Sequence, residues 1–154
     1  MKQHTYQTII TWKGNKGTGT SDYAAYSRNH SIDVVNKPEI PASSDPHFRG
    51  DKTRYNPEEL LVSSLSSCHM LWYLHLCSVN GVVVTDYVDH ASGIMNENTD
   101  GSGEFTEVTL HPIVTVKEEA MITKANELHH EANTMCFIAR SVKFPVHHQP
   151  TAKI

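Results

Sequence analysis

The stretch NPEELLVSSLSSCHMLW, residues 56–72, decides how this chain is read. Asn56 is a good cap, Pro57 suits a first helical turn, and Glu59 stands three residues after the cap, so a helix begins here. Apolar positions continue through Leu74, Leu76 and Cys77, and Asn80-Gly81 supplies a stop, which predicts a helix from Pro57 to about Val79. Those positions occupy more than one narrow stripe, so the helix is expected to be buried on several sides. At about 23 residues it would be roughly 35 Å long. A single hairpin layer does not cover that length, and a second copy of the chain is expected to complete the burial, giving a homodimer with intertwined helices.

Upstream of this helix, residues 4–13 are rich in β-branched and aromatic types and predict a strand. GNKGTGTSD reads as a turn, residues 22–35 as one or two further strands, and residues 36–55 as a long loop rich in Pro, Ser and Gly. Downstream, residues 82–97 and 104–116 bracket NTDGSG and predict a long β-hairpin. A helix is expected from Glu118 to about Glu131, a second short helix after Asn133 or Thr134, and a final strand in SVKFPVHHQPTAKI with prolines that an edge tolerates. The order is that of an α+β protein, with long helices packed on antiparallel sheets, and residues 1–154 suit a single domain.

Composition narrows the function. Hydrophobic residues make up 38% and charged residues 19%, and the formal charge of -4 provides no basic stripe for nucleic acid. The N-terminal MKQHTYQTIITWKG lacks the features of a signal peptide, and the most apolar run, Met70 to Cys77, is broken by His75 and preceded by His69, so no membrane span is expected. A cytoplasmic location follows as the expectation. Three widely spaced cysteines do not form a secreted disulfide framework and are expected to be free or redox-active.

Each cysteine has two readings. Cys68, deep in an apolar helix, is either a small hydrophobe or a sheltered nucleophile, and its position denies it help from a helix N-terminus. Cys136 follows Asn133-Thr134, which as cap residues would put it in the first turn of a helix, where the dipole favours a thiolate. Cys77 reads as core. Eleven histidines raise the question of a metal. Yet the adjacent pairs His129-His130 and His147-His148 point their side chains about 100 degrees apart on a helix, and no second histidine completes a HExxH arrangement. Nucleotide-binding and hydrolase signatures are missing as well.

NPEELLVSSLSSC with CFIARSV near the C-terminus resembles the OsmC/Ohr family of thiol-dependent peroxidases, and the order of elements agrees over nearly the whole chain. The resemblance implies that Cys68 is the peroxidatic cysteine, oxidised by an organic hydroperoxide to a sulfenic acid, and that Cys136 resolves it by forming a disulfide. It implies antioxidant work in an oxidative stress response, with no cofactor beyond an external dithiol or lipoyl-type reductant. Glu58 matches the glutamate that holds the arginine stabilising the thiolate. Where family members supply that arginine, this chain has Lys16 in the first turn and His47 before the helix, leaving Arg28, Arg49 and Arg54 to compete, with Arg28 and Arg49 preferred. Ten residues separate Glu58 from Cys68, about 15 Å along a straight helix. A broken helix, a bridging arginine or service across a dimer would each reconcile them. The rival reading is a non-enzymatic protein of the same fold that holds an apolar ligand.

Overall fold

A computed structural model describes residues 2–154, which divide into two compact units meeting at Leu60 and Leu61. The first contains strands β1 (Ile9–Trp12), β2 (His30–Asp33) and β3 (Ile40–Ala42), paired antiparallel in the order β1-β2-β3. Less of it is strand than the composition predicts. Residues 4–8 lie outside β1, and in residues 22–35 only β2 forms. Arg28 is the physical reason for the shortfall: its guanidinium donates to the carbonyls of Tyr26 and Tyr23, both at 2.8 Å, and curls that segment into a turn.

The long loop is ordered by its short polar side chains. Asp45 accepts from the His47 N–H and caps a one-turn helix over Pro46–Phe48, and the Ser43 hydroxyl ties the loop to Asn29 and to the Asp51 N–H. Gly50 is required here, since a β-carbon would meet the Ser44 carbonyl oxygen at 1.6 Å.

Helix α1 (Pro57–Val79) begins and ends where the sequence places it. At its start Asn56 Oδ1 accepts from the Glu59 N–H at 2.8 Å, and Glu59 Oε2 accepts from the Asn56 N–H at 3.2 Å, a reciprocal capping box. At its end Gly81, with φ of 73°, turns the chain left-handed. The Val82 N–H then reaches the Cys77 carbonyl and the Gly81 N–H that of Ser78, closing a Schellman motif.

In the second unit the expected hairpin forms, with β4 (Val84–Asp89) and β5 (Ser92–Glu97) running out and β6 (Gly103–Leu110) and β7 (Pro112–Val116) returning. Its turn is closed by the Asn98 N–H on the Ser102 carbonyl at 2.7 Å, with Gly101 at φ of 85°. The ladder breaks near Pro112, which has no N–H to give, and Asp89 Oδ1 accepts the neighbouring His111 N–H at 2.7 Å in place of a strand partner. Two sheets result, β4-β7 and β5-β6. The predicted final strand is divided to match: β8 (Val146–His148) runs parallel to β6 and β9 (Thr151–Lys153) parallel to β7, on either side of Pro150.

Helix α2 (Ile122–Met135) starts later and ends later than predicted. Tyr73, Leu76 and Cys77 of α1 pack with Ala125, Leu128 and Ala132 of α2 and with Val114 and Val116 of β7 to form one core cluster. Leu65, Val108 and Leu110 form a second. Contrary to the sequence expectation, α1 is long and apolar enough to meet the length and composition of a membrane span. Its apolar residues are consumed only in part by these clusters, for Leu71 remains 62% exposed.

Candidate active site

Cys68 and Cys136 are brought together in the second unit. Cys68 lies in the middle of α1 and is half-buried, its thiol adjoining that of Cys136, which closes the C-terminal end of α2 and is buried. All three cysteines are free thiols. The neighbouring aromatic side chains report the same approach. Trp72, one turn after Cys68, meets Phe137, the residue after Cys136, edge to face with centroids 5.6 Å apart.

The local setting of Cys136 overturns the expectation drawn from Asn133-Thr134. Those residues do not cap a new helix. The Thr134 hydroxyl bonds back to the His130 carbonyl at 3.2 Å, and α2 runs through both because its buried stripe, Leu128, His129 and Ala132, carries it on. Cys136 therefore stands at the negative end of a helix dipole, where a thiolate is disfavoured. Burial and the adjoining Cys68 thiol push it up to about 11. After it the chain wraps the sulfur: the Ala139 N–H donates to Cys136 Sγ at 3.4 Å, and the Arg140 N–H to the Cys136 carbonyl at 3.1 Å. Cys77 is core, as its sequence implied, and burial raises its thiol too.

The other predicted residues belong to the first unit. Glu58 lies in the first turn of α1, and its Oε2 is buried with no hydrogen-bond partner among the described residues. Because α1 is unbroken, the broken-helix account of its separation from Cys68 is removed. Arg28 is sandwiched between Tyr23 and Tyr26, with its guanidinium carbon 4.3 and 4.1 Å from the two ring centroids. Arg54 faces Asp51 at 3.6 Å. Arg49 is exposed, 5.9 Å from the Tyr23 centroid, and joins no ion pair among the described residues.

Residues 50–150 match the family model described as OsmC-like protein. The chain belongs to the OsmC-like family. An OsmC-like protein of unknown function from Vibrio cholerae O1 biovar eltor is 33% identical, with a TM-score of 0.84, over 97% of this chain and 99% of that one. The organic hydroperoxide resistance protein OsmC of Legionella pneumophila shares the fold at 16% identity, with a TM-score of 0.68 over 99% of this chain and 100% of its own. The uncharacterized protein YmaD of Bacillus subtilis is 23% identical over 100% of this chain and 97% of its length. The fold of this OsmC-like protein is thus the one the sequence resemblance implied.

What the sequence did not point to is a group of histidines beside the cysteines: His69 on α1 and His129 on α2, both buried, with a half-buried His148 on β8. Of the adjacent pairs, His129-His130 separates as helix geometry requires, His129 inward and His130 to solvent, and His147-His148 alternates along β8. Among the described residues no group of three or more histidines, cysteines or carboxylates is arranged to hold a metal ion. A signal was present in hindsight: His69 lies four residues before Tyr73, which shares its buried face.

Proposed function

We propose that this OsmC-like protein is a thiol-dependent peroxidase that reduces organic hydroperoxides to alcohols. The observation that carries the reading is the approach of a half-buried Cys68 to a buried, protonated Cys136. Cys68 as thiolate attacks the terminal oxygen of ROOH; the O–O bond breaks, RO⁻ takes a proton and leaves as ROH, and Cys68 becomes a sulfenic acid. The Cys136 sulfur then attacks the Cys68 sulfur, the S–O bond breaks, and water departs as the disulfide closes. A thiol kept protonated until this second step does not compete for the peroxide, and before it its S–H can donate to Cys68. An external dithiol, of lipoyl type, restores both thiols.

Glu58 Oε2, buried and free to accept a hydrogen bond, suits a guanidinium, and Arg49 is the one best free to provide it, since Arg28 and Arg54 are already engaged. Beside Cys68, Leu71, Trp72 and His75 line an open cleft of about 300 Å³, which suits the organic part of a bulky hydroperoxide. The exposed side of α1 supports a homodimer, in which Glu58 serves either its own Cys68 or that of the second copy. Mass spectrometry after one equivalent of cumene hydroperoxide is expected to find a Cys68–Cys136 bridge. Two free thiols together with an oxidised methionine would overturn the proposal.

A further inference from the structure

His69 and His129 meet across the interior of the second unit. His69 Nε2 lies 3.0 Å from His129 Nδ1, and the ring planes differ by only 6°. The residues are 1% and 0% exposed. Tyr73 stacks on the His129 ring with centroids 3.8 Å apart, fixing its tilt. The far nitrogens, His69 Nδ1 and His129 Nε2, are buried without partners among the described residues, so this single bond is what satisfies the pair.

The rest of the α1–α2 contact is packing among Tyr73, Leu76, Cys77, Ala125, Leu128 and Ala132, which is less directional than a hydrogen bond held to within a few tenths of an ångström. Both cysteines are linked to this tie through the chain. Cys68 precedes His69, and Cys136 stands seven residues after His129, two helical turns on and about 20° from the same stripe. We propose that the His69–His129 bond is a positioning device that sets the register of α1 against α2 and thereby holds Cys68 and Cys136 at the separation a disulfide needs. The inference rests on reading those two thiols as a redox pair.

Protonation should weaken the device. One added proton places a charge in the interior, and a second leaves two N–H groups facing each other across 3.0 Å. The groups that face the pair are Asp89 from β4, His148 from β8 and Tyr73 of α1, with Tyr87 of β4 behind Tyr73 and His130 of α2 acting on His148. Asp89 alone favours the charged form of His69. Burial and the other histidines oppose it and hold His69 down to about 4 and His129 to about 3.

The test is equilibration of the full chain in glutathione redox buffers, with the Cys68–Cys136 bridge quantified by mass spectrometry. His129→Ala is expected to lower the equilibrium constant for closure at least tenfold, a rise in reduction potential of about 30 mV. His69→Gln with His129→Asn puts amides where the bonded nitrogens were. This pair should restore the constant to within about twofold and remove its excess fall in acid, because amides do not titrate. Val116→Ala, which destabilises the same core without touching the pair, should leave the potential unchanged. An unaltered potential in His129→Ala, or a folded amide pair that fails to restore it, overturns the inference, as does a wild-type chain that forms no bridge. A bridge that forms with glutathione but not with cumene hydroperoxide supports the positioning role and removes only the peroxidase reading.

Discussion

Two polar clusters in this protein solve opposite problems. In the first unit Arg28 keeps its charge by staying near water, using tyrosine faces and two backbone carbonyls. In the second, His69 and His129 are buried so fully that they are stable only as neutral rings sharing one hydrogen bond. A charge at a surface is inexpensive and replaceable, whereas a buried titratable pair ties stability and geometry to its protonation state. Chemistry that depends on the separation of two sulfurs is better served by the second arrangement.

The largest expected effects fall beside the histidine pair. Cys68→Ser should reduce hydroperoxide consumption to the uncatalysed level. Cys136→Ser should retain a single turnover, with a sulfenic acid accumulating on Cys68 and captured by dimedone. Equal, partial losses in both variants would break the proposed division of labour between a half-buried nucleophile and a buried resolving thiol.

Next in size is stability. His129→Ala removes a stacked ring and strands His69, and should cost about 2 to 4 kcal/mol in urea unfolding. The corresponding change in the first unit, Arg28→Ala, loses exposed cation–π contacts worth about 1 kcal/mol. A reversed order would contradict the contrast drawn between the two clusters.

The pH dependence sharpens it. Below pH 6.5 the unfolded chain takes up protons that the native His69 and His129 refuse, so stability falls with pH. Each histidine contributes a slope approaching about 1.4 kcal/mol per pH unit until its native value of about 4 or about 3 is reached. In the first unit, hydrogen bonds from His47 to Asp45 and from Thr53 to Asp51 hold these carboxyls below 3.8. That stabilisation is present above 3.8 and is lost as pH falls through the lowered values, a separate and smaller step because both groups meet water. Urea midpoints measured from pH 8 to pH 3 distinguish the windows, and the His69→Gln, His129→Asn pair should flatten only the upper one.

The smallest effect concerns the arginines. Arg28→Ala should leave the rate of hydroperoxide reduction nearly unchanged, while Arg49→Ala should lower it with little loss of stability. Equal rates in the two variants would remove Arg49 from the proposed mechanism.

Much of this was legible in the chain because it is local. The capping box at Asn56 and Glu59, the Gly81 stop and the hairpin turn at Gly101 are each decided within a few residues, by which backbone groups a nearby side chain can satisfy and by which residue accepts a positive φ. The family of the protein was legible for the same reason, since NPEELLVSSLSSC and CFIARSV are contiguous. Asn133-Thr134 reads as a cap but lies inside α2, because cap residues also sit inside helices when tertiary burial holds the helix together, and the stripe of Leu128, His129 and Ala132 does so here. The partnership of Cys68 with Cys136, and of His69 with His129 sixty residues on, was decided only by the packing of α1 on α2. Interactions that bridge distant segments leave no periodicity in the sequence, and the cost of burying a polar ring becomes visible only when the element that pairs it is in place.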